Sequence, residues 1–426
     1  MTHFGILCPA STGHLNAMIP LGNELLRRGH RVTVFNFLDA RSRTLAGGLE
    51  FQPLAEDEFP LGASAKILTE MGKLSGIAAL KYNFQNLPKT SRVILKTAPV
   101  AIKNSGIEAL LVDQFSPEGG TVADILNLPF ITVCNGLILN REPSIPPAVT
   151  TWKYSQTWQG SLRNRVGYRL LNTITKPIRK TIAEFRKEWK LPLYSHPNDY
   201  YSKLAQIGQQ PAEFDFPRQN LPPHFHFTGP YQNPALRQSV PFPFEQLTGK
   251  PLIYASMGTI QNRLLETFQT IASACEDLDA QLIIDLGGGA TPESLPKLAG
   301  NPIVVACAPQ LELLKRATLT ITHAGMNTTL ESLSNGVPMV AIPVTNDQPG
   351  IAARIAYTGV GELVALKQLN VDRARNAIVR VLTQENYKQR AIEMQEVIAR
   401  SGGVKKAADI IEQVILTGKP VLASQT

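Results

Sequence analysis

The residues with the sharpest chemical possibilities lie between positions 308 and 348. They read Ala308-Pro309-Gln310, then Thr322-His323-Ala324-Gly325-Met326-Asn327-Thr328-Thr329-Leu330-Glu331, then Gly336-Val337-Pro338 and Asn346-Asp347-Gln348. His323 closes an apolar run that reads as a buried strand. Gly325 permits a close backbone approach or a positive φ. Asn327 and Thr328 then open a helix, offering amides, a hydroxyl and the positive end of the helix dipole, a setting suited to phosphate oxygens. Glu331 follows one turn on, where a carboxylate can accept two sugar hydroxyls. Asp347-Gln348 follows the next strand and can read the hydroxyls of a hexose. Singly, each piece has an ordinary meaning: a helix cap for Asn327-Thr328, a surface helix residue for Glu331, a turn for Asp347-Gln348. Their joint order and spacing favour a nucleotide-sugar site.

The N-terminal half must then supply the reacting groups. Gly13-His14 stands between the first strand and its helix. The helix's positive end disfavours an imidazolium, so His14 is expected to be neutral near pH 7 and able to accept a proton. Asp113 ends the apolar run at 109–112, at the carboxyl end of a strand. It can hold the imidazole tautomer and stabilise the charge that develops. Singly, these are a capping histidine and a strand-end turn residue. Asp277-Leu278-Asp279 has the form of a metal-binding pair. It falls between a predicted helix and a strand, at the amino end of the sheet, and is expected to point away from the site.

The elements that must position these groups alternate. Residues 4–8 form a short strand, 9–13 a loop, and Leu15, Met18, Ile19, Leu21, Leu25 and Leu26 recur at helical spacing. Residues 31–35 begin another strand, a β-α-β opening that builds parallel sheets. Strands recur at 108–112 and 129–133, with a helix near 122–126, and 150–190 reads as amphipathic helix. Nine prolines between 211 and 251 break every regular pattern. Alternation then restarts. Strands fall at 252–255, 282–286, 303–306, 319–322 and 339–342, with helices at 264–275, 311–317 and 328–334. Further helices are expected at 372–382, 384–400 and 405–416. The fold class is therefore α/β, two doubly wound parallel-sheet domains facing a central cleft. Their bounds are 1–215, a proline-rich linker at 216–250, and 251–400, with a helix and tail at 401–426 that could return to the first domain.

The chain has 426 residues, of which 43% are hydrophobic and 18% charged. That is globular composition, ample for two cores. No apolar run reaches the roughly 20 residues that span a bilayer, and the N-terminus reads as a strand and not a secretory signal. Four scattered cysteines make no zinc ribbon or disulfide framework, so a reducing cytoplasm is the expected setting. Ten basic residues face two acids between 153 and 190, an excess equal to the whole net charge of +8. All three tryptophans, Trp152, Trp158 and Trp189, lie in or beside that stretch. It reads either as a solvated helical face or as a surface for an anionic membrane. No recognition motif points to nucleic acid. The first loop, Pro9-Ala10-Ser11-Thr12-Gly13, is not the nicotinamide G-x-G-x-x-G.

The segment from Ala308 to Gln348 resembles the donor signature of the UDP-glycosyltransferases of the GT-B superfamily, and the likeness runs through roughly the whole chain. It implies a glycosyltransferase in which His14 and Asp113 form the catalytic dyad. His323, Asn327 and Thr328 would contact phosphate, with Ser256 of Ser256-Met257-Gly258-Thr259 in a second phosphate loop. Gly13 and Gly325 would line the same donor site. Gln310 and the backbone at Ala308 would hold uracil, Glu331 the ribose, and Asp347 and Gln348 the transferred sugar. The plant signature opens with a base-stacking tryptophan, and here that position is Cys307. The mechanism implied is metal-independent inversion, with a UDP-sugar as co-substrate and no other cofactor. Val112-Asp113-Gln114, the stretches at 139–143, 213–218 and 347–350, and the helix at 408–414 are similar to bacterial carotenoid glucosyltransferases that act on zeaxanthin. This implies a hydrophobic hydroxylated acceptor, with glucose as the hexose and the enzyme cytoplasmic or peripheral on a membrane. Phenols and flavonoids are the rival acceptors. A nucleotide-sugar epimerase and a non-enzymatic carotenoid or lipid carrier are the rivals of another class.

Overall fold

All five residues of the first strand, β1 (His3–Leu7), are buried. The computed structural model, which describes residues 1–237 and 239–423, continues through α1 (Thr12–Arg27), β2 (Arg31–Asn36), α2 (Arg41–Ala46) and β3 (Glu50–Pro53). Next come α3 (Ala63–Gly72), α4 (Gly76–Asn104), β4 (Ala109–Asp113), α5 (Gly119–Leu126) and β5 (Phe130–Cys134). A long loop leads to α6 (Trp158–Ile174) and α7 (Lys176–Glu188), then β6 (Gln206–Gly208) and β7 (Phe225–Phe227). The first sheet has the order β3-β2-β1-β4-β5-β6-β7, every neighbour parallel. Leu110 and Leu111 are both fully buried. Adjacent strand residues point to opposite faces, so helices must cover both sides, as parallel sheets require.

The second unit repeats the plan. It runs β8 (Leu252–Ser256), α8 (Leu265–Cys275), β9 (Gln281–Asp285), β10 (Ile303–Val305), α9 (Gln310–Leu314), β11 (Ala317–Thr322), α10 (Met326–Ser334) and β12 (Met339–Ala341). Then follow α11 (Gln348–Thr358), β13 (Gly361–Leu363), α12 (Val371–Thr383), α13 (Glu385–Arg400) and α14 (Gly403–Thr417). Its sheet has the order β10-β9-β8-β11-β12-β13, again all parallel. Helix α14 leaves this unit and packs on the first. Ala407, Ile411 and Val414 share a core with Met18 and Leu21 of α1, and the Arg28 guanidinium donates to Asp409 at 2.7 Å.

Three elements depart from the sequence expectation. Strand β7 lies inside 216–250 and pairs with β6, Ile207 opposite His226, so that range is not linker throughout. Pro222 and Pro223 stand just before it, and an edge strand tolerates such neighbours because its outer side makes no ladder. Helix α4 runs for 29 residues and contains Pro88 and Pro99, residues that ordinarily mark a helix end. The stretch from Lys66 to Leu80, rich in Ala, Leu, Ile and Gly, reads in sequence as one helix-like run; it is two helices, because residues 73–75 break between α3 and α4.

One buried charge ties the units together. The Asp215 carboxylate accepts from Arg354 Nε of α11 at 2.6 Å and from Arg218 Nε at 2.6 Å. Arg218 also donates to the carbonyls of Ile138 and Asn140 at 2.9 and 2.8 Å. Burial pushes the Asp215 carboxyl up, yet the two guanidinium charges outweigh it and hold it below the ordinary carboxylate range. Asp215→Asn leaves the buried Arg354 without its counter-charge and Arg218 with only Glu142, at 3.5 Å. We expect it to lower stability by about 3–5 kcal/mol, read as a reduced urea midpoint with an unchanged denaturant slope.

Candidate active site

Both sheets reverse direction beside their first strand. Strand β1 lies between β2 and β4, and β8 lies between β9 and β11. Loops leaving such a pair of strands part to opposite faces and open a crevice at the carboxyl edge. His14 stands in the first turn of α1, not in the loop before it, and Asp113 is the last residue of β4; the end of β8 and the turn into α10 carry Ser256-Met257-Gly258 and His323 to Asn327.

In the first crevice His14 Nδ1 meets Asp113 Oδ2 at 2.6 Å. Asp113 is wholly buried, and the His14 side chain keeps 23% of its surface exposed. Two further donors fix the carboxylate: Asn135 Nδ2 at 2.7 Å and the Phe115 amide at 2.8 Å. The Phe115 ring meets the imidazole edge-on at 5.1 Å. With Nδ1 committed to Asp113, Nε2 is the nitrogen left to take a proton. Burial pulls His14 down, but the charge and hydrogen bond of Asp113, with the charge of Asp347 beyond, prevail and hold the imidazole above its ordinary value. That direction is the reverse of the one expected from the helix end. A full negative charge in contact outweighs a helix terminus worth about half a charge.

The second crevice holds His323 in a slot of glycine backbone. A methyl on Gly258, whose φ is +74°, would lie 2.4 Å from the ring, and one on Gly325 would lie 2.5 Å from Nε2. No side chain larger than hydrogen fits on either side. Burial pushes the His323 imidazole down to about 4, against a backbone hydrogen bond at Ser256. Its Nδ1 is buried without a partner among the described residues, as are Asn135 Oδ1 and Gln261 Nε2. These free polar atoms suit a polar ligand.

The remaining donor candidates converge, though several are already engaged. Asn327 Nδ2 donates across the cleft to the Gly13 carbonyl at 2.7 Å, and Gln209 Nε2 donates to Asn327 Oδ1 at 3.0 Å. Thr328 Oγ1 accepts from Gln310 Nε2 at 3.4 Å. Tyr254 OH donates to Gln310 Oε1 at 3.0 Å and to Asp285 Oδ2 at 2.7 Å. The Ala308 carbonyl accepts from the Gln310 amide at 2.8 Å. Ser256 is buried, and its Oγ accepts from the Gly258 amide at 3.3 Å. Cys307 is exposed beside this group. Glu331 is 1% exposed, not the surface residue its position alone would suggest, and its carboxylate accepts from Gln310 and Arg237. Asp347 Oδ2 accepts from the Leu137 amide at 3.0 Å, close enough to Asp113 and His14 to share their field. Gln348 is turned into its own loop: Oε1 accepts from the amides of Val344 and Thr345 at 2.9 and 3.0 Å. Asp277 and Asp279 sit between α8 and β9, paired with Arg375 at 3.1 Å and Lys250 at 2.9 Å, away from both crevices.

Asn135, Gln209 and Arg237 are the polar groups that sequence reasoning missed. Asn135 and Gln209 each directly follow a strand of the first sheet, the same carboxyl-end signal that picked out Asp113. Arg237 lies in the proline-rich stretch and gave no signal.

Residues 6–400 match the family described as UDP-glucoronosyl and UDP-glucosyl transferase. The chain is 34% identical to a zeaxanthin glucosyltransferase of Pantoea ananas, covering 99% of this chain and 98% of that protein. It is 32% identical to a zeaxanthin glucosyltransferase of Pseudescherichia vulneris, over 99% of this chain and all of that one. Among solved structures it resembles a kitacinnamycin glycotransferase, with a TM-score of 0.76 at 21% identity over 97% of this chain and 98% of that one. It also resembles the glycosyltransferase VinC in complex with dTDP, with a TM-score of 0.69 at 17% identity over 98% of this chain and all of that one. The two-sheet architecture is that of the GT-B glycosyltransferases.

The two cleft histidines should titrate in opposite senses. In a nitrogen-detected NMR titration, His14 is expected to lose its proton above pH 6.5, while His323 stays neutral down to about pH 4. A His323 that gains its proton near pH 6.5 would mean that the glycine slot does not exclude water.

Proposed function

We propose, from the premise that this chain belongs to the UDP-glucoronosyl and UDP-glucosyl transferase family, that it transfers glucose from UDP-glucose to a hydroxyl of a carotenoid such as zeaxanthin, with inversion and without a metal. The observation that carries the reading is the His14–Asp113 contact of 2.6 Å, set opposite the glycine-walled His323 loop. Full-length likeness to two zeaxanthin glucosyltransferases supports the acceptor.

In this mechanism His14 Nε2 takes the proton of the acceptor hydroxyl as its oxygen attacks C1 of the glucose. The bond from C1 to the diphosphate oxygen breaks, and the electron pair leaves with UDP. Asp113 stabilises the imidazolium that forms. The leaving diphosphate is met by the amides and hydroxyl at Asn327 and Thr328, by the start of α10 and by the Ser256-Met257-Gly258 loop. Preorganised dipoles of this kind act where charge develops, and they can do so without a cation. Neutral His323 can donate a hydrogen bond to phosphate without bringing a charge of its own. Gln310 and the Ala308 backbone hold uracil. Glu331 exchanges Arg237 for the ribose hydroxyls, and Asp347 and Gln348 face the hexose. Asp347 keeps Oδ1 and spare lone pairs for a hexose hydroxyl while Oδ2 holds the Leu137 amide, and Gln348 offers the sugar a side chain already fixed by Val344, Thr345 and Gln261.

The base must be unprotonated, so activity rises with pH through the raised pKa of His14. The lower limb of the rate profile should fall above pH 6.5. Asp113→Asn removes the strongest influence holding that value up. Its limb should move to lower pH while the plateau drops. His14→Ala should lower kcat by about 10²- to 10⁴-fold and leave UDP affinity by calorimetry unchanged. Full turnover in His14→Ala would remove the base assignment. Glucoside formation from UDP-glucose and zeaxanthin, undiminished by a chelator, tests the donor, acceptor and metal statements together. A sugar isomer without glucoside would favour an epimerase, and faster turnover of phenols a broad acceptor pocket.

A further inference from the structure

Helix α6 shows solvent the face that helices ordinarily bury. Trp158, Leu162, Val166, Leu170 and Ile174 recur every fourth residue and are 71%, 51%, 45%, 64% and 36% exposed. At about 100° per residue they sweep along one side of the helix. The opposite side is seated by small and polar residues, with Gly160, Asn164 and Gly167 buried. Asn164 Nδ2 donates to the Pro143 carbonyl at 3.0 Å, and Tyr168 OH donates to the Ile145 carbonyl at 3.0 Å. The helix is therefore anchored through its polar face, and its apolar stripe is left largely to solvent.

The charge around the stripe is mostly basic. Arg165 and Arg169 are exposed along its edge. One turn on, Lys176, Arg179 and Lys180 line a groove with His196 and Tyr194. The acids nearby offer little opposition, since Glu184 is engaged by Arg92 at 2.7 Å. Apolar side chains with a tryptophan at one end and cations along the border form the pattern of a helix lying in a membrane interface. A second copy of this chain is a poor occupant. A two-fold contact of stripe on stripe brings Arg165 and Arg169 against their own symmetry mates.

We propose that α6 and the basic turn at 176–180 are a docking surface for an anionic phospholipid bilayer, with α6 parallel to the membrane and its stripe at the boundary of headgroups and acyl chains. The surface is coupled to the cleft. The loop that seats α6 also carries Ala148, whose carbonyl accepts from the Gly350 amide at 2.8 Å, and Leu137, whose amide binds Asp347. Docking thus sets the cleft against the bilayer that holds a carotenoid, a consequence that rests on the acceptor proposed above. The surface itself does not.

The test is co-sedimentation of the full chain with vesicles of phosphatidylcholine alone, and with about 30% phosphatidylglycerol. Binding is expected only to the anionic vesicles, released by salt, with Trp158 emission moving to shorter wavelength. The pair Leu162→Ser and Leu170→Ser should lower the bound fraction at least tenfold. Each of Arg165→Glu and Arg169→Glu should cost about fivefold or more. Turnover of UDP-glucose with a water-soluble phenol should be unchanged in all of these variants, which separates lost docking from lost folding. Absence of wild-type binding, or serine variants that bind as well as wild type, would overturn the surface. So would a dimer that the serine variants dissolve while vesicle binding persists. If docking stands and zeaxanthin is not glucosylated, the acceptor reading fails and the surface remains.

Discussion

Two guanidinium groups cannot share a dry interior without counter-charge, and Asp215 is the carboxylate that both touch, with Glu142 a second partner of Arg218 at 3.5 Å. Arg354 reaches Asp215 from α11, and Arg218 from the segment between β6 and β7 of the first sheet. Arg218 in turn holds the carbonyls of Ile138 and Asn140, fixing the loop whose Leu137 amide meets Asp347. A chain of strong, directional contacts therefore runs from the unit interface to the crevice that holds His14 and Asp113. Buried ion pairs add little net stability over apolar packing, but breaking one is severe. Their use here is orientation. Two sheets that each present a carboxyl edge could face one another at many angles, and the Asp215 pairs admit few.

Within the cleft so defined, one side-chain type is given two opposite characters. His14 touches a buried carboxylate and is held protonated to higher pH. His323 touches glycine backbone and no acid, and burial alone drives it to about 4. One imidazole is thereby placed to exchange a proton with Asp113 at hand, while the other remains a neutral hydrogen-bonding group in a glycine slot. Environments that push like groups apart are the usual mark of assigned acid–base roles. Uncoupling the two is geometrically simple, because each belongs to a different sheet.

Much of this was legible in the sequence, for an identifiable reason. His323, Gly325, Asn327 and Thr328 lie within one strand–helix turn, so the local chain dictates their arrangement. His14 and Asp113 are separated by 99 positions, yet each is marked by its place after an apolar strand, and parallel sheets bring such ends together. What stayed hidden depends on long-range packing. Strand β7 is three residues long and follows a Pro-Pro pair. The directions of Gln348 into its own turn, of Asp347 toward Leu137 and of Arg237 onto Glu331 follow from tertiary neighbours that no local pattern encodes. The direction of the His14 shift was misread because a helix end is visible in sequence and a contact of 2.6 Å is not.

The basic, tryptophan-bearing stretch shows how composition merges features that structure separates. Arg186 is buried, paired with Asp124 at 2.7 Å and packed over the Tyr194 ring at 3.8 Å. Trp189 packs edge-on against Phe185 at 5.3 Å within the first unit's core. Arg163 stacks on Trp152 at 5.0 Å. These residues hold the fold. What they leave over is Trp158, the apolar stripe of α6, and the cations at its border. The excess charge that first drew attention was partly structural, whereas the apolar stripe, diluted by intervening polar residues, gave no compositional signal. A helix anchored by asparagine and tyrosine, with leucine facing outward, inverts the ordinary energetic preference. Roughly 25 cal/mol for each Å² of apolar surface is left unused in water, and that unspent free energy is what an adjoining hydrocarbon phase can recover.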